Sequence, residues 1–292
     1  MKEWGRIITA MVTAFDEKLN INYDRVAEHA IRLENEGSGA ILVNGTTGES
    51  PTLSREEVVS LLEAVKENVE IPIIAGVGSN STMKTIENIK NISKCQVDGL
   101  LVIVPYYNKP NQESIYEHFR EVSKNTDLPI MMYNVPGRTG VNMSVETLSK
   151  LAEIDNIVAL KEASGDTAQL SRMVCATPSD FSIYTGDDIL TLPSLAVGAY
   201  GVVSVASNIV GLKMEQMIYE FFIGNYKEAI EINMKLTNLF DCLFATTSPI
   251  PIKTALSLRG MNVGGCRLPL TDASDEIKVL LKNCLSELNL RG

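Results

Sequence analysis

Ile157-Val158-Ala159-Leu160-Lys161-Glu162-Ala163-Ser164-Gly165 sets four apolar residues directly against a lysine. The run 157–160 is apolar at every position rather than at alternate ones, as expected of a strand buried on both faces by helices covering a parallel sheet. Seven further runs share that character: 7–15, 40–43, 71–77, 100–104 and 128–133 before it, and 181–184 and 201–205 after it. Helix signals separate them. Ser54-Arg55-Glu56-Glu57 fits a capping box, with Val58, Leu62 and Val65 following at helical spacing, and predicts a helix over 55–68. Residues 23–36 place Val26, Ala30 and Leu33 on one stripe that stops at Gly37, a favourable C-terminal cap. The segments 80–94, 112–125, 144–153 and 167–175 repeat the theme. Eight strand–helix alternations, without a G-x-G-x-x-G turn after the first strand, predict an α/β fold of the closed (β/α)8 TIM-barrel type rather than a doubly wound sheet.

Beyond Gly224 the pattern changes. Residues 225–244 read as a long helix, Ser248-Pro249-Ile250-Pro251 interrupts it, and 252–258 and 273–288 read as further helices without a strand between them. The expected division is a barrel carrying the active site over 1–223 and a C-terminal helical appendage over 224–292.

Composition narrows the chemistry. In 292 residues, 26 Lys+Arg stand against 36 Asp+Glu, a net charge of −10, which argues against a nucleic-acid partner because phosphate binders cluster cations. Residues 1–6 lack a signal-peptide pattern and no apolar run reaches the roughly 18 residues of a membrane span, so a cytoplasmic protein with no membrane partner is expected. Cys95, Cys175, Cys242, Cys266 and Cys284 are odd in number and widely spaced; they read as buried small hydrophobes. His29 and His118 each sit among helix formers without a matching ligand partner, so no metal site is expected.

In a barrel of this type reactive groups stand just after the strands. Gly45-Thr46-Thr47-Gly48-Glu49-Ser50 offers hydroxyls and exposed amides to a small anion, and reads equally as an ordinary capped turn. Pro105-Tyr106-Tyr107-Asn108 can be packing or interface residues as well as functional ones. Tyr133-Asn134-Val135-Pro136-Gly137-Arg138-Thr139-Gly140 sets a phenol at the end of the fifth strand and a guanidinium on a Pro-Gly turn, suited to bidentate carboxylate recognition or to a surface ion pair. Lys161, continuing from a buried run, is expected to be partly desolvated, which lowers its pKa and leaves a nucleophilic amine. The fifth and sixth strands are neighbours roughly 4.8 Å apart, so Tyr133 and Lys161 stand side by side. An amine, a phenol, hydroxyls and an arginine form the kit for imine chemistry on a keto acid. Pyridoxal phosphate could also use the lysine, but no phosphate-binding glycine loop is evident, so chemistry without a cofactor is preferred.

These motifs, with Gly186-Asp187-Asp188, resemble in order and spacing the motif series of the dihydrodipicolinate synthase (4-hydroxy-tetrahydrodipicolinate synthase) family, pyruvate-dependent class I aldolases, over nearly the whole chain. The resemblance implies condensation of pyruvate with L-aspartate-4-semialdehyde in the diaminopimelate route to lysine, with no metal or organic cofactor. It implies Lys161 as the Schiff-base residue, Tyr133, Thr46 and Tyr107 as a proton relay in which Tyr107 reaches into a neighbouring subunit, and Thr47, the Gly186 backbone and Val203 as the pyruvate pocket. Arg138 would hold the semialdehyde carboxylate. The family resemblance also implies a homotetramer of two tight dimers, or a dimer.

N-acetylneuraminate lyases are similar but typically carry Ser-Thr where Thr46-Thr47 stands and lack an arginine at the place of Arg138. A sugar-acid aldolase acting on N-acetylneuraminate or 2-keto-3-deoxygluconate is the alternative within the family, and a keto-acid-binding barrel without turnover the alternative outside it. Regulated relatives bind lysine in a dimer-interface crevice, which here corresponds to Ser50, Pro51, Asn80, Lys84 and Tyr106. They often carry a glutamate where Lys84 stands and histidines where Arg55 and Val58 stand. Like charge repels the effector, so weak or absent inhibition by lysine is expected.

Overall fold

Each of the eight apolar runs overlaps a strand, with ends that differ by a few residues. The structure, a computed structural model, describes residues 4–289. Its strands are β1 (Ile7–Ala10), β2 (Ala40–Val43), β3 (Ile73–Gly76), β4 (Gly99–Ile103), β5 (Ile130–Asn134), β6 (Ile157–Glu162), β7 (Ser182–Thr185) and β8 (Gly201–Ser204), and they follow one another in sequence order as a closed barrel. Every residue of β1, β2, β3, β5 and β8 is buried, which accounts for their continuous apolarity.

The helices are α1 (Tyr23–Asn35), α2 (Arg55–Lys66), α3 (Thr82–Asn91), α4 (Gln112–Ser123), α5 (Pro136–Thr139), α6 (Val145–Leu151), α7 (Thr167–Ala176), α8 (Thr191–Ala196), α9 (Ser207–Phe222), α10 (Tyr226–Leu243), α11 (Ile250–Leu258) and α12 (Asp275–Glu287). The predicted capping box of α2 is formed: Ser54 Oγ accepts from the Glu57 N–H at 3.2 Å, and Glu57 Oε2 accepts from the Ser54 N–H at 2.9 Å. Helix α1 ends as expected, with Gly37 at φ +91° and the Ser38 N–H donating to Leu33 O at 3.1 Å.

The chain divides by compactness into two units. One is Pro72–Val203, in which β3 to β8 pair in parallel with α3 to α8 as their connections. The other comprises the described residues up to Ile71 and those from Ser204 onward, with β1 paired to β2, α1 against α2, α9 against β1 and α10, and α12 against α10 and α11. The expected boundary at 223/224 falls between α9 and α10.

Local differences from the sequence reading have physical causes. The first run was expected as a strand over 7–15, but the ladder stops at Ala10. Residues 11–15 remain buried while their polar groups turn elsewhere: the Phe15 N–H donates to Val263 O at 3.0 Å and Thr13 Oγ1 donates to Gly48 O at 2.7 Å. Helix α11 starts at Ile250, not 252, because a proline in the first turn gives up an N–H that has no acceptor within the helix. Four of the cysteines are buried, but Cys175 is exposed. The inward stripe of α7 runs through Leu170 and Met173, and a residue two positions beyond Met173 leaves that stripe.

Both histidines are structural. Burial and the nearby Arg32 push His29 down to about 3, and its Nε2 pairs with Asn208 Oδ1 at 3.0 Å. Burial pushes His118 down to about 4, and its Nδ1 pairs with Thr82 Oγ1 at 2.9 Å. Among the described residues, no group of three or more His, Cys, Asp or Glu side chains is disposed to hold a metal, and no helix is long and apolar enough to cross a membrane.

Gly211 tests the packing of α9 on α1. Replacing a helical glycine by alanine ordinarily stabilises by about 1 kcal/mol. Here an added Cβ meets Glu36 O at 2.1 Å, beside the irregular backbone of Val210 at φ −131°. Gly211→Ala therefore destabilises, by about 1–3 kcal/mol or more, in urea denaturation; a stabilised variant would contradict this packing.

Candidate active site

Strands β5 and β6 are neighbours, and their register pairs Tyr133 with Lys161 and Asn134 with Glu162. In-register residues of parallel strands share a face. The Lys161 Nζ lies 4.5 Å from the centroid of the Tyr133 ring, and both residues are buried, Lys161 at 6% exposure. Burial disfavours the ammonium, and the guanidinium of Arg138 adds repulsion, while Asp187 and Asp188 favour the charge. The net result pushes Lys161 down to about 8. Burial pushes the Tyr133 phenol up to about 12, with Arg138 opposing and Asp187 reinforcing. The pair is therefore a readily deprotonated amine against a phenol that keeps its proton, with the aromatic face available to a cation on the nitrogen.

The neighbouring strands complete this arrangement within the 72–203 unit. Lys161 pairs with Tyr184 on β7, and Thr185 pairs with Val202 on β8, so Gly186 and Val203 follow one step beyond that pair. Gly186 cannot carry a side chain: a Cβ there would lie 2.7 Å from Ala163 Cβ and 2.8 Å from Lys161 Cε. Its N–H donates to Glu162 O at 2.6 Å. Asp187 comes next, its carboxyl pushed up by burial and held back by Lys161. Arg138 is exposed on α5, a single helical turn where the sequence suggested a Pro-Gly turn; the Gly140 N–H donates to Pro136 O at 2.9 Å, with Gly140 at φ +73°.

Tyr106 and Tyr107 follow β4 in the same unit. Tyr107 is 89% exposed and adopts φ +73°. Of the crevice residues in this unit, Lys84 is exposed in the first turn of α3 and Asn80 O accepts from Asn108 Nδ2 at 2.9 Å. In the other unit, Thr46 and Thr47 lie in the turn after β2, closed by the Gly48 N–H to Gly45 O at 3.1 Å and the Glu49 N–H to Thr46 O at 3.0 Å. Ser50 and Pro51 begin a short 3-10 turn over Ser50–Thr52, and Arg55 opens α2 with Val58 in its first turn.

The sequence reading missed the polar network behind the reactive pair. Asn134, fully buried, donates through Nδ2 to Glu162 Oε2 and to Asn142 Oδ1, both at 2.8 Å, and its Oδ1 accepts the Met143 N–H at 2.9 Å. Asn142 Nδ2 donates to Gln169 Oε1 at 2.7 Å. Both ends of the segment carrying Arg138 are thereby tied to β5 and β6. Burial pushes the Glu162 carboxyl up against its hydrogen bonds from Ser164, Asn134 and Gln169. The available signal was that Asn134 and Glu162 directly follow Tyr133 and Lys161 on strands otherwise apolar.

Comparison with known proteins finds relatives that match nearly the whole chain. A model of the dihydrodipicolinate synthetase family matches residues 3–288. A 4-hydroxy-tetrahydrodipicolinate synthase of Microcystis aeruginosa is 52% identical over 290 residues, covering 98% of each chain. A dihydrodipicolinate synthase structure from Bacillus anthracis superposes with a TM-score of 0.96 at 45% identity, covering 98% of this chain and 99% of that one. One from Cyanidioschyzon merolae, described as having lysine bound, gives 0.96 at 47% identity with the same coverage.

A buried amine loses its charge at lower pH than an exposed one, because burial penalises only the ammonium. Labelling of Lys161 by a small amine-reactive reagent is therefore expected to rise about tenfold per pH unit at acidic and neutral pH and to level off above about 8. Exposed lysines continue to rise toward about 10. Peptide mass spectrometry reads the two profiles; a Lys161 profile that follows the exposed lysines contradicts the assignment.

Proposed function

The chain belongs to the dihydrodipicolinate synthetase family, and on that premise we propose that it condenses pyruvate with L-aspartate-4-semialdehyde to give 4-hydroxy-tetrahydrodipicolinate, in the synthesis of diaminopimelate and lysine. The observation that carries the reading is the pairing of Tyr133 with a Lys161 amine whose charge burial disfavours.

The neutral Nζ attacks the ketone carbon of pyruvate. Proton transfers through Tyr133 turn the former carbonyl oxygen into water, which leaves a protonated imine facing the Tyr133 ring. Loss of a methyl proton gives the enamine, whose carbon bonds to the aldehyde carbon of the second substrate while the aldehyde oxygen takes up a proton. The amine of that substrate then displaces Lys161 from the imine carbon, closing the ring and restoring the enzyme. Amine, phenol and hydroxyl groups suffice for each step, so the reaction calls for no external cofactor.

Roles for the remaining residues follow the family resemblance. Thr46 and Tyr107 extend the proton relay, and Thr47, Gly186 and Val203 contact pyruvate. Arg138 receives the semialdehyde carboxylate, a role supported by its exposed position on α5 and its electrostatic reach to Lys161 and Tyr133. The high exposure and left-handed backbone of Tyr107 support its insertion into a second copy of the chain, within a dimer or a tetramer of two dimers. A cytoplasmic location fits a small-molecule biosynthetic enzyme. Where the family resemblance implies lysine binding in regulated members, this chain carries the cations Lys84 and Arg55, each of which opposes the lysine ammonium, so feedback is weak.

A coupled assay with both substrates tests this reading. Lys161→Ala abolishes turnover, Tyr133→Phe lowers kcat about 10²-fold with little change in KM for pyruvate, and Arg138→Ala raises KM chiefly for the semialdehyde. Faster cleavage of N-acetylneuraminate or 2-keto-3-deoxygluconate than condensation of the semialdehyde would overturn it in favour of a sugar-acid aldolase. Millimolar lysine leaves the rate unchanged; strong inhibition at that concentration contradicts the crevice argument.

A further inference from the structure

The turn that carries Thr46 and Thr47 ends on an unusual residue. Glu49 adopts φ +59°, a left-handed conformation that a side chain disfavours, and it is 2% exposed. A carboxylate so deeply buried requires compensation at both oxygens. Lys253 Nζ, on α11, donates to Oε1 at 2.8 Å, and the backbone N–H of Arg267 donates to Oε2 at 2.8 Å. These partners lie 204 and 218 residues further along the chain.

The two cations are themselves fixed. Lys253 is 2% exposed, donates a second bond to Gly265 O at 2.5 Å, and its Nζ stands 4.2 Å from the Phe15 ring centroid. Arg267 places its Cζ 4.5 Å from the centroid of the same ring. Its Nη1 donates to Thr52 O at 2.9 Å and to Glu57 Oε2 at 2.8 Å, and its Nη2 to Glu57 Oε1 at 2.6 Å. Nε donates to Leu19 O at 2.9 Å. The turn is thus held at Glu49 and Thr52 by donors from the C-terminal region, while Thr13 Oγ1 holds Gly48 O from the other side at 2.7 Å.

We infer that Glu49, Lys253 and Arg267 are positioning residues for catalysis: the C-terminal helical region takes part in the reaction by holding, through the buried Glu49 carboxylate, the backbone conformation of the Thr46-Thr47 turn. The inference rests on the proposed roles of Thr46 and Thr47. Lys253 is no second nucleophile, since its ammonium is engaged by Glu49, Gly265 and Phe15. Small displacements of a positioned group cost large factors in rate, so a loosened turn is expected to act on the pyruvate half of the reaction and to spare the semialdehyde half, which depends on Arg138.

The test is steady-state kinetics on Glu49→Gln, which keeps the side chain's size and an acceptor toward Lys253, and on the double variant Glu49→Gln/Lys253→Met, which removes both buried charges together. In each, KM for pyruvate rises about fivefold or more and kcat falls about tenfold or more, while KM for the semialdehyde stays within about twofold. Wild-type kinetics in a folded variant, equal rises in both KM values, or a lowered Tm with unchanged kinetics would each overturn the inference. Glu49→Gln decides the matter alone if the double variant does not fold. Lys161→Ala separates the two levels. If it still turns over, the reading of the active site fails; if it is inactive while Glu49→Gln behaves as wild type, only the positioning role fails.

Discussion

An ammonium at Lys161 is disfavoured where it stands, 6% exposed at the end of β6 beside the Tyr133 ring. Much of the surrounding structure follows from keeping that amine buried and usable. Strand β6 must be apolar up to Leu160 so that the lysine emerges from a dry environment. Gly186 must lack a side chain because the Lys161 stem occupies the space. Tyr133 offers its ring rather than a counter-charge, so a larger share of the amine is neutral near physiological pH than in an exposed lysine, while the aromatic face still accommodates a positive nitrogen. Asp187 acts in the opposite direction, and burial outweighs it.

The same economy of buried charge recurs away from the reactive pair. Glu162 and Asn134 lie one residue beyond Lys161 and Tyr133, and their hydrogen bonds to Asn142, Ser164 and Gln169 tie the Arg138 segment to the strands that carry Tyr133 and Lys161. Glu49 does for the Thr46-Thr47 turn what Asn134 does for the Arg138 segment, through Lys253 and Arg267. In both places a short segment bearing polar groups is held by a buried side chain whose every oxygen is satisfied. Removing one partner leaves the other buried without compensation, so these supports tolerate change poorly.

The strands were legible because a two-faced burial demand leaves an uninterrupted apolar run, and the pairing of Tyr133 with Lys161 followed from their places at the ends of consecutive strands. The capping box of α2 and the glycine stop of α1 were legible because caps are local chemistry. Residues 11–15 misled because burial alone, without a ladder, also selects apolar residues. The early start of α11 and the exposure of Cys175 depend on where a proline or a cysteine falls within a turn, which composition does not register. Least legible was the partnership of Glu49 with Lys253, because 204 residues separate them and neither carries a local signature of its partner. Glu49 was visible only as the end of a Gly-Thr-Thr-Gly turn, and Lys253 only as a charge inside an apolar helix.

The proposed chemistry turns on an imine between the Lys161 amine and pyruvate. Borohydride reduction in the presence of pyruvate, followed by peptide mass spectrometry, tests it most directly. One reduced pyruvyl adduct per chain is expected, located on the peptide that contains Lys161 and dependent on pyruvate. An unmodified Lys161 peptide, or an adduct on another lysine such as Lys253, would contradict it.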